Sequence, residues 1–420
     1  MTAVLLFLIF LFFAAVMLQG KMPALLAIPV MAILMAIISG VGHEQILSEI
    51  VVDGSTRLST AYMAVFFGAM LGQVTILTGI AERIVKLAAE FCGDKPVIIT
   101  FTLAFVTGVL FVALTGLGAV IMVGTLMLPI LVSVGIPRKM AASVFIMAFG
   151  TGYIMNLSLW EFYRTALNVE ISEVAPFALQ VLGINFVVTV LFILFYAKKN
   201  LLFAACSARL GPEKARAEES TVPGIALLTP LTPLIFHLGL GWPVIPSFIG
   251  GALFGVLTTQ PRQTSRILTR AALKGLESGA PAIILMVGIG MLLNMSTMSE
   301  VQAVLEPALG RLGDLPWWGF VLGFALLSPL VLFRGPLNPF GLGIGIYAML
   351  NSMEVFPALA IMALLMSLTQ VQTVCDPTNT HNVWVAGYTE TPVMAITRMT
   401  LLFQMTVAFC ALSLAAFWYL

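Results

Sequence analysis

The chain predicts an all-α polytopic membrane protein made of two inverted-topology repeats, each with about five spans, a helical hairpin and an interrupted helix. Three observations lead there. Of the 420 residues, 60% are hydrophobic and 9% charged, with a mean hydropathy of +1.06; soluble domains lie far from that range. Apolar runs of membrane-spanning length recur from Ala3 to Leu420. Shifting the chain by 220 residues (243 − 23, for example) lays Pro23 on Pro243, Gly68 on Gly288, Pro96 on Pro316, Pro137 on Pro357 and Asn156 on Asp376 without gaps. Roughly half a Pro–Pro coincidence is expected by chance, so these matches mark a repeat.

The elements follow in order. Spans are expected at 3–18, 22–41 and 59–82, the last running into an amphipathic tail to Glu90. A paired segment at 96–114 and 118–135 turns on Thr115-Gly116-Leu117-Gly118. An interrupted span at 138–165 and a final span at 176–197 complete 1–197, the first repeat. After a linker at 198–222, the second repeat, 223–420, runs through 223–239, 242–258, 276–298, 316–333 with 340–353, 357–386 and 393–420. The paired segments read either as re-entrant hairpins or as two full spans. Either way each half crosses an odd number of times, which turns the second upside down.

Charge placement fixes an orientation. With the 198–222 linker cytoplasmic, all 20 Lys and Arg except Arg57, Arg164, Arg311 and Arg334 fall on that side, as the positive-inside rule requires. The opposite loops hold Glu44, Glu49, Asp53, Glu161, Glu170, Glu173, Glu300, Glu306 and Glu354, and both termini come out external. The first apolar run lacks a charged start and a small-residue cleavage site, so it reads as a retained span. Cys92, Cys206, Cys375 and Cys410 stand alone, which argues against a disulfide framework or a zinc site. No nucleotide-binding loop is present, and no Ser–His, His-x-x-x-His or paired-Asp set falls on facing spans. An enzyme, a cofactor and a nucleic-acid partner are not expected; lipid is.

Two polar interruptions carry the chemistry: Gly150-Thr-Gly-Tyr-Ile-Met-Asn-Leu-Ser158 and Cys375-Asp-Pro-Thr-Asn-Thr-His-Asn382. Backbone freed from helical bonding is tolerated at bilayer depth only where it is buried in protein or lines a wet cavity. Such breaks at equivalent places in two halves point to the binding site of a secondary transporter. Arg334, in Phe333-Arg334-Gly335-Pro336-Leu337-Asn338-Pro339, falls at the turn of the second paired segment, beside the position of Thr115-Gly116 in the first. A charge there costs at least ~2.5–3.5 kcal/mol, and its fork suits a carboxylate. Three readings stay open: substrate contact, an ion pair with Asp376, or a cytoplasmic loop charge if both arms span.

Pro377 stops any smooth helix beyond Asp376. Asp376, Thr378, Asn379, Thr380, His381 and Asn382 bring carboxyl, hydroxyl, amide and imidazole groups into one turn. They suit a hard cation or a proton carrier, and Asp376 equally suits a helix N-cap. The matching turn in the first half holds Asn156 and Ser158. Substrate contacts are therefore expected from Thr115, Gly116, Gly118, Asn156, Ser158, Arg334, Gly335, Asn338, Thr378, Asn379 and Thr380. Coupling-ion contacts, for H+ or Na+, are expected from Asp376, Asn379, His381 and Asn382. Glu161 and Arg164 read as outside-facing loop charges.

The Thr78-Gly79-Ile80-Ala81-Glu82-Arg83 turn, the tips at Thr115-Gly116 and Arg334-Gly335, and the breaks at Asn156 and Asp376 together resemble the ion transporter superfamily over essentially the whole chain. That group includes gluconate permeases, citrate–metal symporters, divalent-anion–sodium symporters and some sodium–proton antiporters. The compact Asp-bearing second turn looks most like the gluconate or citrate branches, and the tips depart from the Ser-Asn-Thr of the divalent-anion symporters. The resemblance implies a cytoplasmic-membrane carrier of a small organic anion, a carboxylate or sugar acid, working by an elevator movement. It implies a scaffold at 1–90 and 223–298, a moving part at 96–170 and 316–390, and a homodimer contact through Gly68 and Gly72. A cation–proton antiporter, with Asp376 exchanging and Arg334 pairing with it, is the alternative.

Overall fold

The computed structural model describes residues 2–91, 95–204 and 222–420. Most of the 198–222 linker, with Cys206, lies outside the described residues, as do Cys92, Gly93 and Asp94. The described chain is all helical and multi-pass. Six helices are long and apolar enough to cross a membrane, seven if one bent pair counts as a span.

The first half holds α1 (Thr2–Leu18), α2 (Ala24–Ser39), α3 (His43–Leu77), α4 (Ile80–Phe91), α5 (Pro96–Phe111) and α6 (Leu117–Ser133). Then come α7 (Arg138–Tyr153), α8 (Leu157–Leu167) and α9 (Ile171–Ala204). The second half holds α10 (Gly224–Gly239), α11 (Val244–Thr259), α12 (Thr264–Ser296), α13 (Ser299–Leu309) and α14 (Trp317–Leu327) with a 3-10 continuation at Ser328–Arg334. It ends with α15 (Gly343–Ser352), α16 (Ala358–Cys375), α17 (Thr380–Tyr388) and α18 (Val393–Tyr419).

The matched prolines are helix starts. Pro23, Pro137, Pro243, Pro316 and Pro357 stand at extended N-cap positions and Pro96 at the first turn, where the missing N–H costs nothing. As a result α2 and α11 begin and end 220 residues apart, at 24–39 and 244–259.

Four expectations need correction. Residues 43–58 are not a loop: they form the first part of α3, π-helical over Ile46–Asp53. Their acids misled because a helix lying along a partner can keep them outward, while Arg57 turns in and donates to Asn294 Oδ1 at 2.8 Å. Likewise α12 starts at Thr264 rather than 276. The acidic stretch after 298 contains helix α13, the counterpart of α4 under the same shift. Glu161 is not a solvated loop charge; it is 5% exposed and held by Arg164 at 2.6 Å on α8.

Packing sets two groupings. α12 lies along α3 and α2, with α11 also on α3; α5 packs on α7, and α18 packs on α16, α14 and α9. Close crossings need glycine: a Cβ at Gly152 would collide with the Gly108 backbone, and one at Gly290 with the Gly54 carbonyl. The segment Ala358–Tyr388 is the core, with 89% of its apolar window buried, whereas Phe105, Leu326, Leu402 and Phe417 face outward. Gly68 and Gly72, expected at a dimer contact, are buried inside the chain against Ser158, Phe248 and the first tip.

Candidate functional site at two hairpin tips and two broken helices

Both breaks use the same local bond. Asn156 Oδ1 accepts from Ser158 N at 3.0 Å, and Asp376 Oδ1 accepts from Thr378 N at 2.9 Å. Asn156 thereby caps the start of α8, whereas Asp376 ends α16 and turns the chain toward α17, which begins four residues later at Thr380. α7 and α8 meet at a 58° bend.

Each break also ties a hairpin tip, in chemically opposite ways. Asn156 Nδ2 donates to the carbonyls of Phe111 and Leu114 at 3.3 and 3.4 Å. Asp376 works as an acceptor, taking the backbone N–H groups of Phe333 and Arg334 at 3.0 and 3.4 Å. Asn338 restores the missing link, donating to both Val331 O at 2.6 Å and Asp376 Oδ2 at 3.0 Å. Its Oδ1 accepts from Phe340 N at 2.9 Å, and Phe340 O accepts from Arg334 Nη1 at 2.9 Å. Phe333 and Arg334 both have positive φ, 57° and 58°. That conformation costs roughly 1–2 kcal/mol per residue, comparable to what each charge-assisted bond to Asp376 returns, about 1.5–3 kcal/mol. The buried carboxylate therefore holds the second tip in shape.

Arg334 makes no ion pair with Asp376 or any other acid among the described residues. Its side chain lines a cavity of about 230 Å³ together with Thr115 and Gly116 of the first tip and Asn379, Thr380 and His381 of the second break. Ser278 of α12 closes one side, beside Gly116, whose φ of 85° favours glycine and where a Cβ would press on Ser278 at 3.3 Å. A larger groove of about 610 Å³ between α5, α7 and α9 contains none of the expected residues and is lined almost wholly by apolar side chains.

The helix ends around the cavity are treated unequally. The N-termini of α6 and α17 both border it, and neither receives a side-chain cap. The C-terminal carbonyls of α16 are closed: Thr373 O by His381 and Asn382, Val374 O by Asn382, and Gln372 O by Asn379. Positive helix ends are open and negative ends covered, a setting that favours an anion.

No sequence-family profile and no curated relative matches the chain. Its structure is similar to the YdaH transporter of Alcanivorax borkumensis, at a TM-score of 0.65 and 15% identity over 89% of this chain and 87% of that one. It is also similar to MtrF of Neisseria gonorrhoeae, placed in a class of antimetabolite efflux pumps, at a TM-score of 0.54 and 11% identity over 92% and 84%. The fold is that of a polytopic membrane transporter.

Among the residues expected at the site, Thr115, Gly116, Arg334, Asn379, Thr380 and His381 meet in the cavity. The others stand apart from its lining. Asn156, Asn338, Asp376 and Asn382 are buried beneath it as ties, and Ser158 donates to Ala64 O at 3.0 Å. Gly118 abuts Gln73, Gly335 abuts the Leu330 and Leu332 carbonyls, and Thr378 bonds only Asp376. Sequence reasoning missed the aromatic wall of Phe149, Tyr153 and Phe340, and also Ser278, Gln372 and Thr373. The signal available was the i, i+4 spacing of Phe149 and Tyr153 into the first break. No group of three or more His, Cys, Asp or Glu that could hold a metal occurs among the described residues.

Proposed function

We infer that this chain is a secondary active transporter that moves a small organic anion, a carboxylate, across the cytoplasmic membrane, coupled to H+ or Na+. One observation carries the reading: two uncapped helix N-termini and an arginine with no ion-pair partner among the described residues border one small cavity, while the nearby carbonyls are already hydrogen-bonded. Arg334 would take the carboxylate as a fork, with the N–H groups of the two helix ends completing its shell. The cavity, below the ~300–1,000 Å³ of drug-sized sites, suits a small solute. Asp376, Asn379, His381 and Asn382 are the proposed coupling groups. Protonating Asp376 would weaken its hold on the second tip, which would link ion occupancy to the shape of the site.

The membrane movement belongs to the same proposal. Oppositely oriented halves would exchange conformations, with 96–170 and 316–390 moving past 1–90 and 223–298 at contacts such as Gly116 on Ser278. The cation–proton antiporter draws less support, because it gives no role to the two uncapped helix N-termini and the Arg334 side chain at the cavity.

Reconstituted protein should take up a carboxylate when an inward pH or Na+ gradient is imposed, and Arg334→Ala should abolish uptake while leaving the melting temperature within a few degrees of the parent. Retention of pH-linked Na+ exchange by Arg334→Ala, with no carboxylate flux in either protein, would establish the antiporter instead.

A further inference from the structure

The carboxylate reading leaves the body of the substrate open, and the cavity walls narrow it. Phe149 and Tyr153 stack at 5.5 Å with 19° between ring planes, and the His381 ring lies 4.7 Å from Phe149. Phe340, whose ring lies 5.1 Å from that of Phe162, lines the cavity from the second tip, and Leu117, Val120, Leu285 and Met286 line it as well.

Polar capacity in the cavity is small because most polar side chains already bond one another. Gln372 Nε2 donates to Asn379 Oδ1, Asn379 Nδ2 donates back to Gln372 O, and Thr373 Oγ1 donates to Gln372 Oε1. His381 Nε2 is tied to Thr373 O, and Ser278 Oγ donates to Gly275 O. What stays available is the rest of the Arg334 guanidinium, the free helix-end N–H groups and a few hydroxyls. The Thr115 hydroxyl is not one of these: its oxygen is buried without a hydrogen-bond partner, beside Gly68. A sugar acid would bring several hydroxyls against aromatic and aliphatic walls, where each unmatched group is penalised. A polycarboxylate would bring more negative charge than one guanidinium can pair. A flat ring with one carboxylate matches both ends of the cavity: charge at Arg334, π-face against Phe149, Tyr153 and Phe340.

We propose that the cavity binds a small aromatic monocarboxylate and discriminates against sugar acids and polycarboxylates. This rests on the carboxylate reading above and is separable from it.

The test uses the full-length purified protein, with thermal shift and equilibrium binding against benzoate, benzamide, cyclohexanecarboxylate, gluconate and citrate at fixed pH and ionic strength. Benzoate should raise the melting temperature saturably. Benzamide, which lacks the charge, should not; cyclohexanecarboxylate, which lacks the flat ring, should bind about tenfold more weakly. Gluconate and citrate should give no shift at the same concentrations. Phe340→Leu and Arg334→Lys should each weaken benzoate by about tenfold or more. Should either variant fail to fold, the ligand series on the parent protein decides. Gluconate or citrate binding as tightly as benzoate overturns this inference and leaves the carboxylate reading standing. Cyclohexanecarboxylate matching benzoate overturns the aromatic specificity alone. A cooperatively melting protein that responds to no carboxylate, or equally to benzamide, overturns both.

Discussion

Asp376 is fully buried and accepts from five donors: the N–H groups of Phe333, Arg334 and Thr378, the Thr378 hydroxyl and the Asn338 amide. Asp376→Asn keeps one acceptor oxygen and turns an NH2 toward groups that are themselves donors. Each N–H left unpaired costs about 1–3 kcal/mol, so the variant should melt several degrees lower and lose transport, with Asn338→Ala lowering the melting temperature in the same direction. Melting curves of the purified variants check both. The residues around the two breaks were readable from the sequence; their division of labour was not. Polar groups beside an interrupted helix can bond the chain itself or face a ligand, and only side-chain direction separates the two uses. Arg334 and Asp376 illustrate this: they are adjacent, yet one borders the cavity and the other holds the backbone beneath it. Phe149 escaped notice because an aromatic residue in an apolar run reads as packing, and Tyr153, although inside the first interruption, was passed over for its amide and hydroxyl neighbours.

At the scale of the element, the helix starts were legible because proline marks them, and the breaks because polar residues interrupt apolar runs. The helical 43–58 segment and α13 were hidden by acids that the chain carries on their outward faces, although the 220-residue shift of α4 already pointed at 300. Close crossings could not be read from glycine content alone. Gly152 on α7 faces the Gly108 backbone, whereas Gly183 on α9 has nothing within 4 Å of where a Cβ would lie. Gly152→Ala should therefore destabilise the α5–α7 crossing strongly and abolish the well-folded peak in size-exclusion chromatography. Gly183→Ala should leave it intact or melt slightly higher, since alanine gains up to ~1 kcal/mol over glycine within a helix.

For the whole molecule, the charge bias along the chain predicts that both termini face outward and the 198–222 linker inward. A fluorescent protein that matures only in the cytoplasm should be dark when fused after Leu420, and alkaline phosphatase fused there should be active. The opposite pattern would invert the orientation of every element. The repeated architecture also has a consequence in time. In each half the tip of the hairpin is tied by a side chain made later: Asn156 lies 45 residues beyond Phe111, and Asp376 lies 43 beyond Phe333. During synthesis each tip is thus made before its anchor, and its backbone donors or acceptors stay unmet until the later segment follows it into the membrane. A ribosome halted between Ser352 and Asp376 leaves the second loop unlatched, and membrane-bound quality-control proteases should clear that nascent fragment faster than one released after Tyr388.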